Sequence, residues 1–113
     1  MDEVHSTARV VLTTAANAEE ARRLARTLVE ERLAACATLV PVAESIYRWE
    51  GKVETAQETL LLLKTAADRV EALQSRLHSL HSYQTPEFLV LAVAKGSTAY
   101  LEWLQAGVRN STE

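Results

Sequence analysis

The spacing of hydrophobic residues changes several times along the chain, and each change predicts a new element of secondary structure. Short apolar runs rich in β-branched residues predict strands, and apolar residues three or four apart predict helices. The chain predicts strands over 8–14, 36–42 and 86–94, a long hairpin over 45–65, and helices over 17–34, 66–80 and 97–105, the last ending at Gly107.

The predicted hairpin over 45–65 carries the most informative pattern. Tyr47 and Trp49 alternate with other residues on one face of the first strand, and Glu50-Gly51-Lys52 supplies a turn. The returning strand stops alternating at Leu60–Leu63, where consecutive leucines face both sides. A strand that is apolar on both faces must be covered on both faces.

Local signals predict where elements begin and where a strand lies. Asn17 is predicted to cap the first helix, with Glu20 in the capping-box position, and Thr65 with Asp68 repeats that pattern before the second helix. Pro41 predicts that the strand over 36–42 lies at a sheet edge or contains a bulge.

The order β-α-β-β-α-β followed by a helix predicts an α+β, ferredoxin-like sandwich with a long hairpin between the second and third strands. We expect flexible tails over 1–7 and 108–113 around one domain over 8–107. Two helices cover only one face of such a sheet. Leaving two leucines of the other face in water would forgo about 3–6 kcal/mol, against a net stability of about 5–15 kcal/mol. The pattern therefore predicts an obligate homo-oligomer.

Composition narrows the functional class. The chain has 113 residues and a net charge of −3 without a basic stripe, which argues against nucleic acid as a partner. Its single cysteine excludes an internal disulfide and suits a reducing compartment. The N-terminal residues lack a signal-peptide core, and no apolar run has the length of a membrane span. We therefore expect a cytoplasmic protein without a membrane partner.

Five segments together resemble the CutA family, which is named for divalent-cation tolerance: 28–41, 45–54, 60–65, 80–88 and 100–104. The resemblance spans about residues 8–107. It implies a ferredoxin-like subunit assembled as a homotrimer, with the long hairpin making intersubunit contacts. It also implies a link to copper and other divalent metals, none of them required for folding, and no established enzymatic reaction.

The chain departs from the family where metal ligands have been proposed. Some bacterial relatives carry a cysteine at the end of the first strand and two adjacent histidines before the later Pro-Tyr pair. Here Thr13 stands at the cysteine position and Leu80 at the first histidine, so that only His81 remains, and Ser82 replaces the usual proline.

Two residues are candidate metal ligands. Cys36 could bind copper through its thiolate, but small apolar neighbours favour a buried structural cysteine. His81 could act as a single ligand or join a site shared between subunits. The alternative for His81 is a C-terminal cap of the preceding helix, where a cationic imidazole suits the helix dipole.

Aromatic residues suggest a second kind of site. Tyr47, Trp49 and Tyr83 could line an intersubunit pocket, with Lys64 and Glu87 as its charged groups. Aromatic residues are also enriched in oligomer interfaces, and the interface interpretation is favoured. A pocket between subunits would satisfy both interpretations.

Three functions follow from these residues. The first is a small homotrimeric protein that binds divalent metal ions, copper first, and takes part in tolerance to them. The alternative is a trimeric regulatory module that binds a small metabolite or anion at subunit interfaces. An enzyme using Lys64, Tyr83 and Glu87 is disfavoured, because no catalytic triad or phosphate-binding loop is present and the sequence indicates no reaction.

Overall fold

The computed structural model describes residues 6–109, and its elements follow the predicted order. The strands are β1 (Ala8–Ala15), β2 (Cys36–Trp49), β3 (Lys52–Ala66) and β4 (Leu89–Ala92), and the helices are α1 (Ala18–Glu30), α2 (Val70–Leu80) and α3 (Thr98–Gly107). A 3-10 turn over Ala67–Arg69 leads into α2. The strands form one antiparallel sheet in the order β2-β3-β1-β4. The predicted ferredoxin-like α+β fold is confirmed.

The hairpin is longer than predicted, because β2 and β3 pair from Cys36 opposite Lys64 to Trp49 opposite Lys52, with one interruption. Glu50 and Gly51 form its turn with φ angles of 50° and 82°. Positive φ at both central residues is the conformation of the two-residue turns that match strand twist.

Pro41 lies where the sequence predicted an irregularity. The register between β2 and β3 shifts between Val40 and Ala43, and Val42 has a φ of 61°. Strand β2 is also an edge strand of the sheet. Both parts of the prediction for Pro41 are confirmed, because a residue without an N–H is tolerated at an edge or a bulge.

The core lies between one face of the sheet and the helices α1 and α2. Leu61 and Leu63 of β3 are fully buried there. They belong to one apolar cluster with residues of β1 and of both helices: Val11, Leu24, Leu28, Leu73 and Leu77. The alternate leucines, Leu60 and Leu62, face the other side of the sheet and are only half-buried.

Several predicted boundaries are wrong. The Thr65 hydroxyl does not cap α2; it is fully buried and donates to the Leu33 carbonyl at 2.7 Å, so the chain enters α2 through the 3-10 turn. Helix α1 ends at Glu30 because Arg32, with a φ of 60°, leaves the helical conformation. Strand β4 spans four residues rather than nine, since only Leu89–Ala92 pairs with β1.

Of the predicted tails, residues 1–5 and 110–113 lie outside the described part of the chain. The Thr7 carbonyl accepts a hydrogen bond from the Ala67 N–H at 2.8 Å. Val108 is fully buried, and its carbonyl accepts from Arg69 Nε at 2.8 Å. The packed structure therefore extends beyond 8–107 at both ends.

Candidate functional site

The segment that follows α2 is held in place by a buried carboxylate of α1. Glu20 is 5% exposed and accepts hydrogen bonds from the Ser82 N–H and hydroxyl, each at 2.9 Å, and from the Ala16 N–H at 3.4 Å. Asn17 caps α1 through the Glu20 N–H, as predicted. Because proline has no N–H, serine at position 82 is what makes this double attachment possible.

Hydrogen bonding also sets the ionisation of Glu20. Burial would raise the pKa of its carboxyl, but the hydrogen bonds from Ser82 and Ala16 together lower that pKa below its ordinary value. Glu20 is therefore a buried carboxylate whose charged form is stabilised by donors.

The His81 ring lies between α2 and β1 and is fully buried. Its Nδ1 accepts the Tyr83 N–H at 3.0 Å, so its Nε2 carries the proton and donates to the Thr14 carbonyl at 2.7 Å. Both ring nitrogens are therefore occupied. His81 is the C-cap residue of α2 through its backbone N–H, which bonds the Leu77 carbonyl, but its ring contacts β1 rather than the helix end.

Tyr83 connects this segment to the hairpin. Its hydroxyl donates to Glu58 Oε2 at 2.7 Å, and its ring lies 4.8 Å from the His81 ring. Burial, the hydrogen bond to Glu58 and the charge of that carboxylate raise the pKa of Tyr83 well above its ordinary value. The phenol is thus a fixed donor, and Glu58, 9% exposed, is its acceptor.

A groove of about 650 Å³ opens between the hairpin and the segment after α2. It is lined by residues of β1, β2 and β3 and of that segment: Thr14, Ser45, Ile46, Tyr47, Trp49, Glu58, Tyr83, Gln84, Thr85 and Glu87. Four of the five residues predicted for a pocket lie here: Tyr47, Trp49, Tyr83 and Glu87.

Sequence reasoning missed Glu58, which is the most buried acidic group of the groove. Its position gave a signal, because Glu58 precedes Leu60 and Leu62 at a spacing of two and so shares their face of β3. A carboxylate next to the apolar part of a strand face needs hydrogen-bond partners if it is buried. Its contact with Tyr83 depends on the tertiary fold and had no local signal.

Lys64, the fifth predicted residue, lies elsewhere. Its ammonium donates to Thr38 Oγ1 at 2.5 Å and stands 3.8 Å from Cys36 Sγ. Lys64 follows Glu58 by six residues on β3, which is about 20 Å along a strand. One chain therefore does not bring Lys64 together with Tyr83 and Glu87.

Cys36 is half-buried rather than enclosed, and it is not surrounded only by small apolar groups. Lys64 is its cross-strand partner, and a shallower groove of about 420 Å³ beside it also contains Arg22, Arg26 and Trp103. Burial foremost, and then Cys36, raises the pKa of Tyr100.

The two candidate ligands do not form a metal site within one chain. Between residues 6 and 109, no group of three or more His, Cys, Asp or Glu side chains converges. The His81 nitrogens are both engaged, and the nearest charged group to Cys36 described above is a cation, which would oppose a divalent metal. Residues 6–109 of a single chain therefore do not fit a copper centre, since copper and zinc sites need several convergent donors.

No helix within the described residues is long and apolar enough to cross a membrane.

Comparisons with known proteins agree with this fold over almost the whole chain. The divalent-cation tolerance protein CutA of Escherichia coli O45:K1 (strain S88) is 50% identical over 105 residues, which cover 93% of this chain and 94% of that protein. CutA from Xylella fastidiosa is 42% identical, with a TM-score of 0.90, over 92% of this chain and all of that structure. A protein from Archaeoglobus fulgidus, described as the periplasmic divalent cation tolerance protein CutA, is 32% identical, with a TM-score of 0.88, over 90% and 99% of the two chains.

The family model of the CutA1 divalent ion tolerance protein matches residues 9–107. This range contains all three helices, all four strands apart from the first residue of β1, and every residue that lines the groove. The chain belongs to the CutA1 divalent ion tolerance family.

Proposed function

We propose that this chain acts as a homotrimer in tolerance to divalent cations. The observation that carries this proposal is the uncovered face of the sheet. Leu12, Leu62 and Leu89 are paired across three neighbouring strands, so they lie side by side on that face. Leu89 is 54% exposed, and Leu12 and Leu62 are half-buried. Burying one leucine contributes about 1.5–3 kcal/mol, so covering this stripe favours assembly.

Both edges of the sheet also favour association. Strands β2 and β4 are the outer strands, and β4 exposes Leu89, Val90 and Leu91 by 54%, 41% and 49%. Exposed apolar edge strands pair readily with other chains. The trimeric stoichiometry is the one that the family resemblance implies.

Growth of a bacterial host tests the tolerance role. In a host that lacks its own CutA gene, we expect this chain to raise the copper concentration that halves growth. A variant that disrupts the leucine stripe, Leu62→Lys, should fail to do so if assembly is required. Equal growth with and without the chain, over graded copper, zinc and cobalt, would contradict the role.

Copper binding is the finer part of the proposal. Because the described residues of one chain offer no converging donor set, we expect a bound Cu(II) ion to be shared by residues of more than one subunit. Of the two candidates, Cys36 is half-exposed and His81 is enclosed, so Cys36→Ser should weaken copper binding more than His81→Ala. Titration calorimetry at about 100 μM protein detects affinities of about 5.5 kcal/mol or better. Absence of heat with Cu(II) and Zn(II) under those conditions would exclude a metal-binding role.

A cytoplasmic location is proposed on the single free thiol, which suits a reducing compartment. The alternative is a periplasmic location, which is how the Archaeoglobus relative is described. Fractionation of the native organism's cells separates the two: recovery with periplasmic markers would overturn a cytoplasmic location.

A second function is favoured by the groove. Four predicted residues converge there, and its volume is within the range of about 300–1,000 Å³ that small-molecule sites occupy. We infer that the groove binds a small molecule and that the protein has a binding rather than a catalytic function. A thermal-shift screen tests this, since a specific ligand raises the melting temperature.

A further inference from the structure

The charge of the groove identifies the class of ligand it can take, an inference that rests on the small-molecule function proposed above. Its lining contains two carboxylates, Glu58 and Glu87, and no lysine, arginine or histidine. Lys64, which the sequence predicted as a positive charge of the pocket, lies outside the groove and donates to Thr38. A groove with two acidic groups and no basic one repels anions.

Glu58 is the group of the groove best placed to accept a hydrogen bond from a cation. It is 9% exposed, and within residues 6–109 its side chain makes one hydrogen bond, at Oε2 to the Tyr83 hydroxyl, and no ion pair. A carboxylate this buried is normally paired with a positive charge, because burying an unpaired charge is costly. Tyr83 supplies a neutral donor to Oε2, and Oε1 can accept a further hydrogen bond.

The walls of the groove suit an organic cation better than a metal ion. Tyr47 and Trp49 are 44% and 55% exposed and offer aromatic surface. Aromatic faces attract cations and also bury the apolar body of a ligand. A metal ion would need at least three convergent donors, and the described residues provide no such group.

We propose that the groove binds a small organic cation: an ammonium group that donates to Glu58, carried on a planar or apolar body that packs against Tyr47 and Trp49. In this arrangement Tyr83 fixes Glu58 from one side and the ligand ammonium satisfies its second oxygen. The anionic ligand that the sequence left open does not suit this charge distribution.

Three compounds of matched shape test the proposal, because they differ chiefly in charge: benzylamine, which is cationic at pH 7, benzoate and benzyl alcohol. Trp103 lies on α3 outside the groove, so fluorescence of Trp49 can be followed in a Trp103→Phe background. We expect benzylamine to bind at least tenfold more tightly than the other two. Glu58→Gln should weaken benzylamine binding about tenfold or more, the value of one charge-assisted hydrogen bond.

Glu44→Gln is the matched control. It also replaces one glutamate by glutamine, but Glu44 lies on β2 and does not line the groove, so benzylamine binding should be unchanged. Circular dichroism verifies that each variant folds, and Glu87→Gln provides a second carboxylate variant if Glu58→Gln does not. Two results would overturn the cation inference and leave the small-molecule function standing. One is binding of benzoate or benzyl alcohol that equals or exceeds that of benzylamine, and the other is benzylamine binding that neither Glu58→Gln nor Glu87→Gln weakens. No binding of any of the three, together with a screen that finds no ligand, would overturn both, as when a side chain of a second copy fills the groove.

Discussion

The two faces of β3 carry the same side chain and have different surroundings. Leu61 and Leu63 are fully buried beneath α1 and α2, whereas Leu60 and Leu62, one residue away in each case, are half-buried. Helices α1 and α2 cover the first face completely, whereas the leucines of the other face are only partly covered. The first face therefore specifies the fold of the chain, and we propose that the second is where the chain meets further copies along the leucine stripe and a ligand at the groove.

The largest effect is expected on the covered face. Leu61→Ala should lower the free energy of unfolding by about 3–5 kcal/mol, because the surrounding core cannot close the cavity. Urea denaturation followed by circular dichroism measures it. A loss below about 1 kcal/mol would mean that Leu61 is not in a close-packed core and would remove the contrast between the faces.

The open face is expected to respond in assembly rather than in folding. Leu62→Lys places a charge in the stripe formed with Leu12 and Leu89, so it should dissociate the oligomer while the subunit keeps its circular dichroism spectrum. Gln74→Lys, on the exposed side of α2, is the control and should leave the mass unchanged. Both effects are read by size-exclusion chromatography over a range of concentrations, and an unaltered elution of Leu62→Lys would contradict the role of the stripe.

Removing the contact between Glu20 and Ser82 should have an intermediate effect on the free energy of unfolding. Glu20 on α1 holds Ser82, and the next residue, Tyr83, lines the groove. Glu20→Ala leaves the Ser82 and Ala16 N–H groups without their acceptor, and should cost about 1–3 kcal/mol. Its exposed neighbour Glu19 provides the control, because Glu19→Ala should change the free energy of unfolding by about 0.5 kcal/mol or less.

The same carboxylate predicts a pH dependence, which is the smallest of the four effects. The pKa of Glu20 is lower in the folded chain than its ordinary value of about 4.3. Its contribution is therefore complete above that ordinary value and is lost as the pH falls through the folded one. The stability difference between wild type and Glu20→Ala should shrink on acidification below about pH 4, measured by urea denaturation at each pH. A difference that grows with acidification would mean that Glu20 is protonated in the fold.

Much of the subunit could be predicted because its signals are local. Hydrophobic spacing gave the element order, Asn17 gave the first cap, and Pro41 gave both the edge and the bulge. The Thr65 cap was wrong because Thr65 is a buried residue of β3 whose hydroxyl donates to the carbonyl of Leu33, 32 residues away. Propensity patterns describe neighbours in sequence, and this contact exists only in the tertiary fold.

Four residues predicted for a pocket between subunits line the groove of one chain, and Glu58 was missed. Tyr47, Trp49, Tyr83 and Glu87 follow from composition, whereas the pairing of Glu58 with Tyr83 joins residues 25 positions apart. Lys64 was misplaced for a related reason. The cross-strand register sets it opposite Cys36, and that register could not be deduced before the length of the hairpin was known.

The claim that the uncovered sheet face is an assembly surface is tested most directly by multi-angle light scattering on the wild-type protein at low micromolar concentration. The account predicts a single species with three times the mass of the chain. A folded species with the mass of one chain would contradict it, because Leu12, Leu62 and Leu89 would then remain in water.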